Sequence, residues 1–175
     1  MFKEEGEAAK FEWTMLGNVA EGRPNLGPKT EVSVYRLMQF TLRNALIREY
    51  GTAAADRIFY EAGKTAGTHF YERLITKRDA FHEFVENLQE TLKDLGVGIL
   101  RIEKADMETM TFTMTVAEDL DCSGLPVCDE EICTYDEGFI AGLLSCYAKR
   151  EFHVREVDCW CSGDRVCRFE VKPVS

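Results

Sequence analysis

The sequence predicts an α+β fold, with an antiparallel sheet packed against helices. Three observations predict it. Apolar residues recur at helical spacing from about Thr30 to Leu95, and the period then drops to two over Val97–Val116. One further helical stretch and a hairpin pattern follow, without the strand–helix–strand repetition of a parallel sheet.

The elements follow in chain order. Phe11-Glu-Trp-Thr-Met15 alternates apolar and polar and predicts a short strand, and Gly22–Pro28 reads as a loop. Residues 1–29 therefore form an N-terminal extension, and residues 30–175 a single domain. A first helix keeps Val34, Leu37, Met38, Thr41, Leu42, Ala45 and Leu46 on one face and stops at Gly51. A second runs from Thr52 to Thr76, with Ile58, Phe59, Ala62, Ala66, Phe70 and Leu74 in a stripe. Gly63 and Gly67, four apart on it, point to close approach of another backbone more than to room for a ligand, because glycine weakens a helix. A third helix spans Asp79 to Leu95, with Asp79 as N-cap and Gly96 as stop.

Val97–Glu103 and Thr109–Val116 then read as an antiparallel pair. Met110, Phe112, Met114 and Val116 share one face of the second strand. A loop holding Cys122 and Cys128 leads to a helix over Ile132–Ala148, whose buried face is Phe139, Ile140, Leu143, Leu144 and Tyr147. The hairpin Phe152–Val171 closes the domain, with a turn expected at Ser162-Gly163-Asp164.

Composition limits the function classes. No apolar run approaches the ~18 residues of a membrane span. The N-terminus is acidic without an apolar stretch, so no secretory signal is expected, and the location is expected to be cytoplasmic. The net charge of −10 opposes nucleic-acid binding. Under reducing conditions the seven cysteines, an odd number, read as thiols or metal ligands rather than as disulfides.

If the hairpin turns at Ser162–Asp164, Cys159 and Cys167 face each other across the ladder and preset half of a tetrahedral zinc site. Two full sets are open on geometry. Glu156 and Cys159 are three apart, so a set of Cys133, Glu156, Cys159 and Cys167 needs a bulge near Val157–Asp158. A set with Cys161 in place of Glu156 needs none. Either leaves no open coordination position and so reads as structural. Cys122 and Cys128 read as loop thiols without a fixed partner, or else as a redox pair; Cys146 reads as core. His69, His82 and His153 have no metal spacing, and no catalytic constellation, phosphate loop or dinucleotide fingerprint is legible.

Cys133-Thr-Tyr-Asp-Glu-Gly-Phe-Ile-Ala-Gly-Leu-Leu144, Phe152-x-Val-Arg-Glu-Val-Asp-Cys159 and Gly163-Asp-Arg-Val-Cys-Arg-Phe169 resemble the 4-vinyl reductase domain family. That resemblance implies a fold like the sensory domains of aromatic-responsive bacterial regulators and the subunits of the TRAPP complex. It implies a homodimer, and a zinc held by a cysteine before the late helix and then Glu-x-x-Cys-x7-Cys, here Cys133, Glu156, Cys159 and Cys167. It implies a small hydrophobic or aromatic ligand enclosed by helices and sheet; Phe70, Phe81, Phe84, Met110, Phe112, Met114 and Phe139 are the candidate walls. The expected function is non-catalytic sensing or carriage, acting through a separate regulator or enzyme partner, since no ATPase or DNA-binding domain is legible in the 175 residues. The alternatives are a tetrapyrrole (vinyl) reductase or its accessory, and a thiol or metal redox sensor.

Overall fold

The computed structural model describes residues 6, 10–128, 130 and 132–174. It divides into two compact units, Met1–Leu42 and Arg43–Ser175. In the first, Trp13–Leu16 forms a 3-10 turn and α1 spans Val19–Gly22, capped by the Asn18 side chain on the Glu21 N–H at 3.2 Å. The strand expected over Phe11–Met15 is therefore a helical turn. Without a partner strand its alternating pattern has no ladder to join. Helix α2, Val32–Tyr50, begins in this unit.

The second unit carries α3 (Thr52–Leu74), α4 (Phe81–Asp94), β1 (Ile99–Asp106), β2 (Thr111–Ala117), α5 (Thr134–Ala148), β3 (Phe152–Asp158) and β4 (Cys167–Pro173). The four strands form one antiparallel sheet in the order β1-β2-β4-β3. The α+β expectation holds, with every helix within one or two residues of its expected bounds at most ends. Ala80, not Asp79, is the N-cap of α4, and its side chain makes no capping bond.

One face of the sheet is buried, through Leu100, Phe112, Met114, Val116, Phe152, Val154, Cys167, Phe169 and Val171. Helix α5 packs on that face and α3 crosses α5 from the other side. The crossing is held close by paired glycines. A Cβ on Gly63 would lie 2.0 Å from the Tyr135 carbonyl oxygen, and one on Gly67 2.1 Å from that of Phe139. Reciprocally, a Cβ on Gly138 or Gly142 would meet the carbonyl oxygens of Tyr60 and Lys64 at 2.0 and 2.2 Å. The glycine pair on α3 thus serves close packing, and a matching pair on α5 completes it.

Helix α4 lays Phe84, Leu88 and Leu92, spaced i, i+4 and i+8, toward the core beside β1. The aromatic residues stack where α3, α4, α5 and the sheet meet. Phe84 lies on Tyr147 with centroids 4.5 Å apart, and Phe81 on Phe112 at 5.2 Å. No helix among the described residues is long and apolar enough to cross a membrane.

Candidate metal centre and adjoining cavity

Four cysteine sulfurs converge at one end of the sheet. Cys133 is the N-cap of α5, Cys159 follows β3, Cys167 opens β4, and Cys122 lies in the turn after β2. All four are buried, and their sulfurs lie within 4.8 Å of one another. Cys133 Sγ is 3.9 Å from Cys159 Sγ and 3.8 Å from Cys167 Sγ. A tetrahedral zinc with Zn–S bonds of about 2.3 Å separates its sulfurs by about 3.8 Å. Two of the distances match that figure; Cys122 and Cys167, at 3.0 Å, are closer.

Local sequence places each thiol. The β3–β4 register shifts between Glu156 and Asp158, which is the bulge that the spacing of Glu156 and Cys159 required. After it, β3 does not turn at three residues as expected. Trp160–Ser162 forms a 3-10 turn, closed by Gly163 at φ 100°. In that turn the Ser162 N–H donates to the Cys159 sulfur and the Ser162 hydroxyl accepts from the Cys159 N–H. Cys161 lies in this turn and outside the four-thiol group. Cys122 is fixed by Asp119, whose Oδ1 accepts the N–H groups of Asp121 at 2.8 Å and Cys122 at 3.1 Å. Cys122 is thus a buried member of the cluster, not a loop thiol without a partner. The turn-rich run Asp119–Gly124 was its only sequence signal.

Glu156 shares the core face of β3 with Phe152 and Val154. It is not in the four-thiol group. Its Oε2 accepts the Cys133 N–H at 3.1 Å, its own N–H donates to Glu137 Oε1 at 2.7 Å, and its Oε1 is buried without a hydrogen bond. Burial, with the charge of Cys159, raises the Glu156 carboxyl to about 8. Hydrogen bonds from the Cys122, Cys133 and Cys167 thiols hold Cys159 well below the usual thiol range. Cys133 is pushed up by its contact with Cys122 first. The arrangement favours one thiolate among buried thiols, ready to take a soft cation.

A cavity of about 40 Å³ adjoins this centre, enough for a few waters. Its walls are Leu88, Leu92, Leu100, Met114, Ile140 and Leu143 with their neighbours from α4, α5, β1 and β2. Asp119 and Asp136 close one end, and these two carboxylates also lie within 4.8 Å of Cys133 Sγ. Burial first, and Asp121 next, raises Asp119 to about 6; Asp136 is raised by burial and then by Asp119. Of the expected walls, Met114 and Phe139 line this cavity. Phe81, Phe84 and Phe112 are in the stacked aromatic cluster instead, Phe70 packs edge-on against Phe139, and Met110 sits in the β1–β2 turn at φ 55°. The leucines of α4 and α5 were read from sequence as plain core.

Residues 112–173 match the family model of the vinyl-4-reductase domain. The matched span holds all four clustered cysteines and Glu156. An uncharacterised protein of Methanocaldococcus jannaschii is 27% identical over 149 residues, 85% of this chain and 81% of that one. A second from the same organism is 27% identical over 117 residues, and there this chain covers 64% of the relative. Among solved structures, the phenol-responsive sensory domain of the transcription activator PoxR superposes with a TM-score of 0.68 at 18% identity, over 82% of this chain and 75% of that one. A vinyl-4-reductase family protein from M. jannaschii gives 0.61 at 20% identity, over 95% and 99%. A trafficking protein particle complex subunit 3 from Naegleria fowleri, covalently bound to palmitic acid, gives 0.64 at 12% identity, over 82% and 95%. The domain match and these neighbours agree with the expected family and fold.

Proposed function

We propose that this chain is a zinc-stabilised domain that binds a small apolar or aromatic molecule and reports its presence to a partner. The observation that carries this is the shared wall between metal centre and cavity. Asp119 and Asp136 line the cavity and also sit beside Cys133, so an occupant would press on the same first turn of α5 that positions a metal ligand. The domain match and the sensory-domain neighbour, which binds phenol, support a small-molecule-sensing role. The thiolates of Cys122, Cys133, Cys159 and Cys167 would hold the metal, and the ion would supply positive charge to a buried end that gathers thiols and carboxylates. A second set, with Glu156 in place of Cys122, is favoured by the unpartnered buried Oε1 of Glu156. Output would pass through a homodimer contact or a separate regulator or enzyme, by a shift between two states of the α5 end.

Thermal shift with phenol, cresols and indole tests the reading, alongside the Leu88→Phe variant, whose larger ring fills the cavity. One-ring aromatics should raise the melting temperature of the wild type and leave that of Leu88→Phe unchanged. Equal shifts in both, or none in either, would remove the cavity from the proposal.

A further inference from the structure

Two cysteines outside the four-thiol group meet at the edge of the metal centre. The Cys128 N–H donates to the Cys161 carbonyl oxygen at 2.9 Å. The Trp160 indole N–H donates to the Leu125 carbonyl oxygen, also at 2.9 Å. These two bonds fasten the 121–128 loop to the 3-10 turn after β3. A backbone hydrogen bond of this kind holds two chains with Cα atoms roughly 5–6 Å apart, inside the range a disulfide spans. The Cys161 and Cys128 side chains also share a hydrogen bond. Cys128 is exposed, whereas Cys161 is 1% exposed.

We propose that Cys128 and Cys161 are a thiol modification site that closes to a disulfide in reaction with a low-molecular-weight disulfide. The Cys128 thiolate attacks one sulfur of the small disulfide, forming a mixed disulfide and expelling one small thiolate. The Cys161 sulfur, giving up its proton, then attacks the Cys128 sulfur and expels the second small thiolate. The two protein thiols are oxidised, and the small disulfide is reduced to two small thiols. Burial keeps the reagent from Cys161, so Cys128 must react first. The bond would tie the loop that carries Cys122 to the turn that carries Cys159, and so slow the escape of a metal held between them.

The test uses the protein as purified, incubated with oxidised glutathione and read by intact mass, peptide mapping and metal content. The wild type should lose two hydrogens without an adduct, with the bond mapped to Cys128–Cys161 and the metal retained. Release of metal to a chelating dye should then slow by about fivefold or more. Cys161→Ser should stop at one glutathionyl group on Cys128, and Cys128→Ser should take up none and form no bond. Arrest of the wild type at a mixed disulfide would overturn the proposal. So would a bond mapped among Cys122, Cys133, Cys159 and Cys167 with loss of metal, or a Cys128→Ser protein that oxidises like the wild type.

Discussion

The Cys133 N–H donates to Glu156 Oε2 at 3.1 Å, so a carboxylate on β3 caps the helix that begins one residue later. That bond joins sheet to helix at the metal centre whether or not Glu156 also touches a metal. It occupies one oxygen and leaves the other buried without a hydrogen bond.

In metal-free protein this carboxyl should make stability depend on pH. Its folded value, about 8, lies above the ordinary 4.5. The stabilising contribution is therefore complete below 4.5 and is lost as pH rises through about 8, because the unfolded chain ionises first. The slope is up to about 1.4 kcal/mol per pH unit. Urea melts of chelator-treated protein across that window should show the decline, and Glu156→Gln should flatten it. An unchanged slope in the variant would assign the dependence to other groups.

The glycine crossing of α3 and α5 should not tolerate a methyl group. Gly67→Ala gains at most about 1 kcal/mol of helix propensity. It places a carbon 2.1 Å from a backbone oxygen, so the helices must separate. Overpacking of this kind costs about 1–3 kcal/mol or more. The prediction is a net loss of stability for Gly67→Ala and for Gly138→Ala, checked by urea denaturation. A neutral or stabilised variant would mean the helices part freely.

Phe112 is 3% exposed and stacks on Phe81, so truncation should cost about 3–5 kcal/mol. Leu143→Ala enlarges the existing cavity beside Asp136 and should cost less than a well-packed leucine, near the lower end of about 2–5 kcal/mol. It should strengthen binding of a one-ring aromatic, where Phe112→Ala should not. Chemical denaturation and calorimetric titration with phenol read both quantities, and the opposite ranking would move the binding site to the aromatic cluster.

Much of this was legible in the residues. Cys133, Cys159 and Cys167 came from spacing, and the β3 bulge from the odd separation of Glu156 and Cys159. Gly63 and Gly67 were legible as a close-packing pair, but their partners Gly138 and Gly142 acquire meaning only when α5 is laid across α3. Cys122 was not legible, because its approach depends on the path of the loop after β2 and on the Asp119 turn. The cavity walls were missed for a similar reason. A leucine at a helical core position reads the same whether the space before it is filled or empty, and rings such as Phe81 and Phe112 satisfy one another instead.

Loss of the metal should loosen the end of the sheet more than its middle. The ion would join Cys133 on α5 to the ends of β3 and β4. Cys159→Ala should release it and lower the melting temperature, though by less than the ~10 kcal/mol seen when metal alone folds a peptide. Hydrogen exchange should rise first at 159–168. A melt unaffected by full metal loss would show that the core carries the fold unaided.

The central claim is a metal on Cys122, Cys133, Cys159 and Cys167. X-ray absorption at the zinc edge of the protein as purified tests it most directly. Four sulfur neighbours at about 2.3 Å are predicted, with one sulfur lost in Cys122→Ser and none in Glu156→Gln. Three sulfurs and one oxygen in the wild type, with the oxygen removed by Glu156→Gln, would contradict the assignment of Cys122, and protein without zinc would contradict the claim altogether.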